Sequence, residues 1–71
     1  MRSYSAMYQG NILTATINNM YGRYVLTIYM QYQGRQNQII QYSEYKTLEE
    51  AMRAMAGAFP GAYWRITNDP N

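Results

Sequence analysis

Hydrophobic residues recur at every second position through most of this chain and switch once to a spacing of three and four, a pattern that predicts strands around a single helix. Over residues 3–9, Tyr4, Ala6 and Tyr8 share one side and Ser3, Ser5 and Met7 the other. Gly10-Asn11 offers the positive φ of a two-residue hairpin turn. Residues 12–18 continue the alternation, with Leu13, Ala15 and Ile17 set against Thr14, Thr16 and Asn18. Asn19-Met20-Tyr21-Gly22 reads as the next turn, with Gly22 left-handed; Met20 has no evident core to enter there and either makes an outside contact or folds back over the sheet. The strand over 23–32 is the longest and most regular, which places it inside the sheet. Tyr24, Leu26, Ile28 and Met30 are assigned to its core side, and Val25, Thr27, Tyr29 and Gln31 to a side polar enough to meet water.

Gln33-Gly34-Arg35 predicts a further hairpin into a strand over 36–42. Its facing is ambiguous, because Ile39 and Ile40 are adjacent and point to opposite sides. The preferred register turns Ile40 inward with Gln38 and Tyr42; the alternative buries Ile39, flanked by Asn37 and Gln41. The helix, over 48–58, has a clear start. Thr47 and Glu50 have the spacing of a capping box, in which hydroxyl and carboxylate each satisfy an unpaired backbone N–H. Leu48, Ala51, Met52, Met55 and Phe59 form one apolar stripe, and Glu49 and Arg53 an i,i+4 pair on the opposite side. Gly57 weakens the helix and Phe59-Pro60-Gly61 ends it, since the residue before proline is pushed out of helical space. A last strand follows over 62–67, with Trp64 and Ile66 toward the core and Tyr63, Arg65 and Thr67 away, and then a frayed tail over 68–71. The expected fold is a single small α+β domain: an antiparallel sheet of four to five strands in the order β-β-β-β-α-β, packed on one face by one amphipathic helix.

Length limits this fold to one thin core, because a chain of 71 residues buries only about 60% of the surface it exposes when unfolded. There is no cysteine to staple it. No apolar run approaches the roughly 20 residues of a membrane span and no h-region opens the chain, so the expectation is a complete, cytoplasmic protein. Charge is uneven: residues 1–43 hold Arg2, Arg23 and Arg35 and no acid. Residues 44–71 hold Lys46, Arg53 and Arg65 against Glu44, Glu49, Glu50 and Asp69. A negatively charged partner would therefore prefer the first part.

Neither histidine nor cysteine is present, which removes the commonest general base, the nucleophile pairings and the usual metal ligands. Glu49 and Glu50 are adjacent, point apart around a helix, and are explained by the positive end of its dipole. Gly10, Gly22 and Gly34 fall in hairpin turns and lack phosphate-loop spacing. The expectation is a protein that is not an enzyme, with no catalytic residues, cofactor or metal. Met52 and Met55 lie on the apolar stripe as filling for an irregular core.

Nine tyrosines, six glutamines and six asparagines set the remaining question. One helix covers one face of a sheet, so the other stays open, and it carries tyrosine, amides and arginine where solubility alone favours lysine and glutamate. Large rigid rings with few torsions are the material of binding surfaces. The candidate partner-binding residues are Tyr29, Tyr63, Arg65, Gln31, Arg23 and Tyr21. A protein is the preferred partner and nucleic acid the second; a face that is merely solvated is the next reading and a second copy of the chain in a homodimer the last, and no membrane is expected. In length and in its strands-plus-helix layout the chain resembles the small phage-encoded proteins that disable bacterial defences, anti-CRISPR proteins among them. That resemblance implies a cytoplasmic inhibitor of a host protein complex and carries no site residues. The open aromatic sheet also resembles RNA-recognition domains in its logic, without their basic-Gly-aromatic signature or their second helix.

Overall fold

A computed structural model describes residues 1–32 and 37–68. It shows one small domain built from β1 (Arg2–Tyr8), β2 (Asn11–Met20), β3 (Arg23–Gln31), β4 (Gln38–Tyr45), α1 (Leu48–Ala58) and β5 (Arg65–Asn68). The strands form a single antiparallel sheet in the order β4-β3-β2-β1-β5. Four successive strands pair as hairpin neighbours, and the chain then crosses over the sheet through α1 to add β5 at the far edge.

Both described hairpin turns are two residues long, with positive φ at each central residue, the geometry that matches the right-handed twist of the strands. The first is Gln9-Gly10 and not Gly10-Asn11, because Tyr8 pairs with Asn11 and takes that asparagine into β2. The second is Tyr21-Gly22, with Gly22 left-handed as expected, while Met20 belongs to β2 opposite Arg23. The expected turn at Gln33-Gly34-Arg35 lies outside the described residues.

The core lies between the sheet and the helix. Leu13, Leu26 and Ile28 are fully enclosed, joined by Tyr4, Ala6, Ala15, Ile17 and Met30 from the strands and by Ala51 and Met55 from α1. Leu48, Met52, Ala54 and Ala58 pack at its margin, so the helical stripe is as the spacing predicts. The Thr47 hydroxyl accepts from the Glu50 N–H at 3.1 Å and so caps the helix. The return contact differs from a capping box: the same hydroxyl donates to the Glu50 carboxylate at 3.2 Å. Among the described residues no ion pair joins Glu49 to Arg53, since holding two long exposed side chains together costs about as much as the pairing returns.

Three expectations about β4 and β5 need correction. In β4 the register shifts between Ile28 and Tyr29 of β3, which pair with Gln41 and Ile39, and leaves Ile40 as the extra residue of a β-bulge. Gln41 and Ser43 therefore oppose the core residues Ile28 and Leu26, Tyr42 opposes Thr27 on the other face, and Ile39 and Ile40 are both exposed. Neither isoleucine enters the core. The last strand starts at Arg65, three residues later than expected, and Asn68 ends it and is no part of a tail. Ile66 opposes Tyr4 on the helix side yet remains 52% exposed, because α1 lies across β2, β3 and β4 and stops short of the β5 edge. Trp64 does pack against the core, from the segment that precedes the strand.

Candidate functional site

The ladders place one residue from each strand in a row across the uncovered face: Arg65, Ser5, Thr14, Tyr29 and Ile39. Strands lie about 4.8 Å apart, so Arg65 and Tyr29 stand about 14 Å from each other on the same surface. On one side of this row come Met7, Ile12 and Gln31; on the other, Ser3, Thr16, Thr27 and Tyr42. Val25 and Thr27 belong to this face but are buried within it, flanked in register by Asn18 and Thr16 on β2 and by Glu44 and Tyr42 on β4. The open face thus has a closed floor near its middle and larger side chains around it.

Six residues were expected to carry binding, and the fold divides them. Tyr29, Gln31, Arg65 and Tyr63 lie toward the end of the sheet that holds the Gln9-Gly10 turn. Arg23 ends the same face at the opposite end, six residues from Tyr29 along β3 and so about 20 Å away. Tyr21 sits beyond it in the second turn, fully exposed, with φ of 53°. That conformation suits asparagine or glycine far better than an aromatic residue.

A concavity with a volume of ≈ 450 Å³ opens between β1 and the chain leaving the helix, lined by Ser5, Ala6, Met7, Ile12, Gly61, Tyr63 and Arg65. Its geometry follows from a local turn. Ala62 N–H donates to the Phe59 carbonyl at 3.0 Å, with Pro60 and then Gly61 at φ of 90° between them, the arrangement of a type II turn. The turn sends the chain away from the helix, and it rejoins β1 only where Arg65 meets Ser5. Tyr63, 79% exposed, stands on the intervening segment beside Arg65. Neither Arg65 nor Arg23 forms an ion pair among the described residues.

Four exposed apolar residues of this surface, Met7, Ile12, Ile39 and Tyr42, were not among the candidates. Met7 and Ile12 oppose each other across β1 and β2, and a signal for them existed: each sits out of phase with the core positions beside it. The preferred register already turns Ile39 outward; Tyr42 had no such signal, because the bulge at Ile40 changes the phase of the strand between them. Among the described residues no cluster of three or more acidic, histidine or cysteine side chains could hold a metal ion, and no helix is long and apolar enough to cross a membrane. None of the protein-family models, curated protein sequences or solved structures compared with the chain matches it.

Proposed function

We propose that this chain is a non-enzymatic binding protein that engages another protein through the sheet face its helix leaves uncovered. One observation carries the reading: exposed Met7, Ile12, Ile39, Tyr42 and Tyr63 share that face with an arginine, Arg65, that has no ion-pair partner among the described residues. Aromatic, methionine and arginine side chains are the types enriched where proteins bury surface against each other, and contiguous exposed apolar area on a small domain marks such places. Small size and the absence of histidine and cysteine support the non-catalytic part of the reading. Within that class, the format supports a cytoplasmic inhibitor of a host complex, of the kind encoded by phages and mobile elements. Affinity capture from a host lysate tests the surface. The native chain is expected to recover a partner that Tyr29→Ala and Tyr42→Ala lose; equal recovery by all three would place binding elsewhere.

A second reading, a nucleic-acid-binding module, draws on Arg23 and Arg65 lying on the same face as exposed tyrosines, where rings stack on bases and guanidinium groups meet phosphates. It ranks second because, among the described residues, this face offers two arginines about 25 Å apart, with Glu44 on the same face, which neutralise few phosphates. Mobility shifts of single-stranded and duplex DNA and RNA at two salt concentrations separate the readings, since phosphate contacts weaken steeply with salt. The absence of any shift at low salt would remove this one.

A further inference from the structure

We propose that the concavity between β1 and the Gly61–Tyr63 segment docks an extended acidic peptide of the partner, seating one of its apolar side chains between Met7, Ile12 and Tyr63 and an adjacent carboxylate on Arg65. The proposal rests on the reading of the open face as a protein-binding surface and specifies which part of it selects the partner.

Shape is the first ground. A volume of ≈ 450 Å³ lies within the range of roughly 300–1,000 Å³ that holds small ligands or a docked side chain with its backbone. Met7 and Ile12 supply an apolar floor, and Tyr63 a rigid wall with a polar tip.

The backbone is the second. β1 runs from Arg2 to Tyr8, but β5 pairs only with Ser3, Tyr4 and Ser5. From Ala6 to Tyr8 the strand has β2 on one side and, among the described residues, no ladder partner on the other, and the concavity opens along that stretch. An extended chain laid there meets strand-edge amides and carbonyls, the mode in which main-chain hydrogen bonds give affinity and a side-chain pocket gives selectivity.

Charge is the third. Among the described residues Arg65 is the only charged one in the lining, it is exposed, and no described acid pairs with it. Among the described residues the acid on this face, Glu44, lies on β4, at the opposite edge of the sheet. A guanidinium without a partner among the described residues, at the mouth of a largely apolar pocket, is complementary to a carboxylate and can hold it by two parallel hydrogen bonds. A nucleic acid would require several such cations, and the lining has one.

The test uses the full chain labelled with nitrogen-15 and three probes: acetyl-Glu-Leu-Glu-Phe-Glu-amide, the same peptide with glutamine for each glutamate, and a uridine octanucleotide. Saturable amide shifts are expected at Ser5, Met7, Ile12 and Arg65 with the acidic peptide, and binding about tenfold or more weaker for the glutamine peptide. Arg65→Gln is expected to bring the two peptides to equal affinity while leaving the amide positions of Leu13 and Leu26 unchanged. Equal affinity of both peptides for the native chain, no binding of either, or tighter binding of the oligonucleotide at these residues would each overturn the proposal. Partner capture that depends on Tyr29 and Tyr42 but is indifferent to Arg65→Gln would overturn it while leaving the open-face reading standing.

Discussion

Phe59 meets Tyr8 edge to face, with ring centroids 5.2 Å apart and planes inclined by 66°. The contact fastens the C-terminal end of the helix to the last residue of β1, immediately before the Pro60-Gly61 turn that shapes the concavity. Both rings are half-buried against the core, so replacing Phe59 by alanine removes a favourable aromatic pair and part of its apolar burial, about 2 kcal/mol together. Urea unfolding is expected to report that loss. In the folded fraction the amides of Tyr63 and Arg65 are expected to move while those of Tyr21 and Gly22 stay in place; movement at both ends would mean that the pair does not act locally.

Gly61 and Gly57 should respond to alanine in opposite directions. Neither has an atom within 4 Å of an added Cβ, so the difference is conformational. Gly61 holds φ of 90°, and Gly61→Ala is expected to cost about 1–2 kcal/mol. Gly57 is exposed within α1, and Gly57→Ala is expected to gain about 0.5–1 kcal/mol. For a domain of this size those changes correspond to roughly 4–8 °C per kcal/mol in Tm, which calorimetry resolves.

Tyr21 pays for its display. A fully exposed tyrosine at φ of 53° has no buried area to offset the left-handed backbone. Tyr21→Asn is therefore expected to raise Tm by about 5 °C. If Tyr21 is a contact, the same variant recovers less partner in affinity capture. A lower Tm would show that the ring has a stabilising contact in the monomer.

The hydroxyl of Tyr4 is buried and has no hydrogen-bond partner among the described residues. Tyr4→Phe keeps the ring in the core and removes the unpaired polar group, so stability is expected to rise by about 1 kcal/mol. A fall of similar size in the urea midpoint would mean that the hydroxyl is satisfied in solution.

A short-range hydrogen bond fixes the helix start as well. Thr47→Ala removes the acceptor for the Glu50 N–H and is expected to cost about 1 kcal/mol. Thr47→Ser keeps an acceptor and is expected to restore most of it, a comparison that thermal unfolding settles.

What the sequence by itself determined is local in origin. Alternation assigned β1, β2 and β3 their faces, because a period of two needs no knowledge of neighbours; Thr47 and Pro60 bounded the helix through backbone chemistry within a few residues. The side of the sheet that Tyr29, Gln31 and Arg65 occupy was legible for the same reason. Only the tertiary structure decided what depends on partners distant in the chain. The bulge at Ile40 is a matter of pairing with β3; it kept Ile40 out of the core and moved Tyr42 onto the open face beside Ile39. The exposure of Ile66 follows from where α1 stops over the sheet, and the concavity beside Arg65 from how few residues of β5 pair with β1. Pattern states which side of its own strand a residue occupies; what covers that side is set by elements tens of residues away.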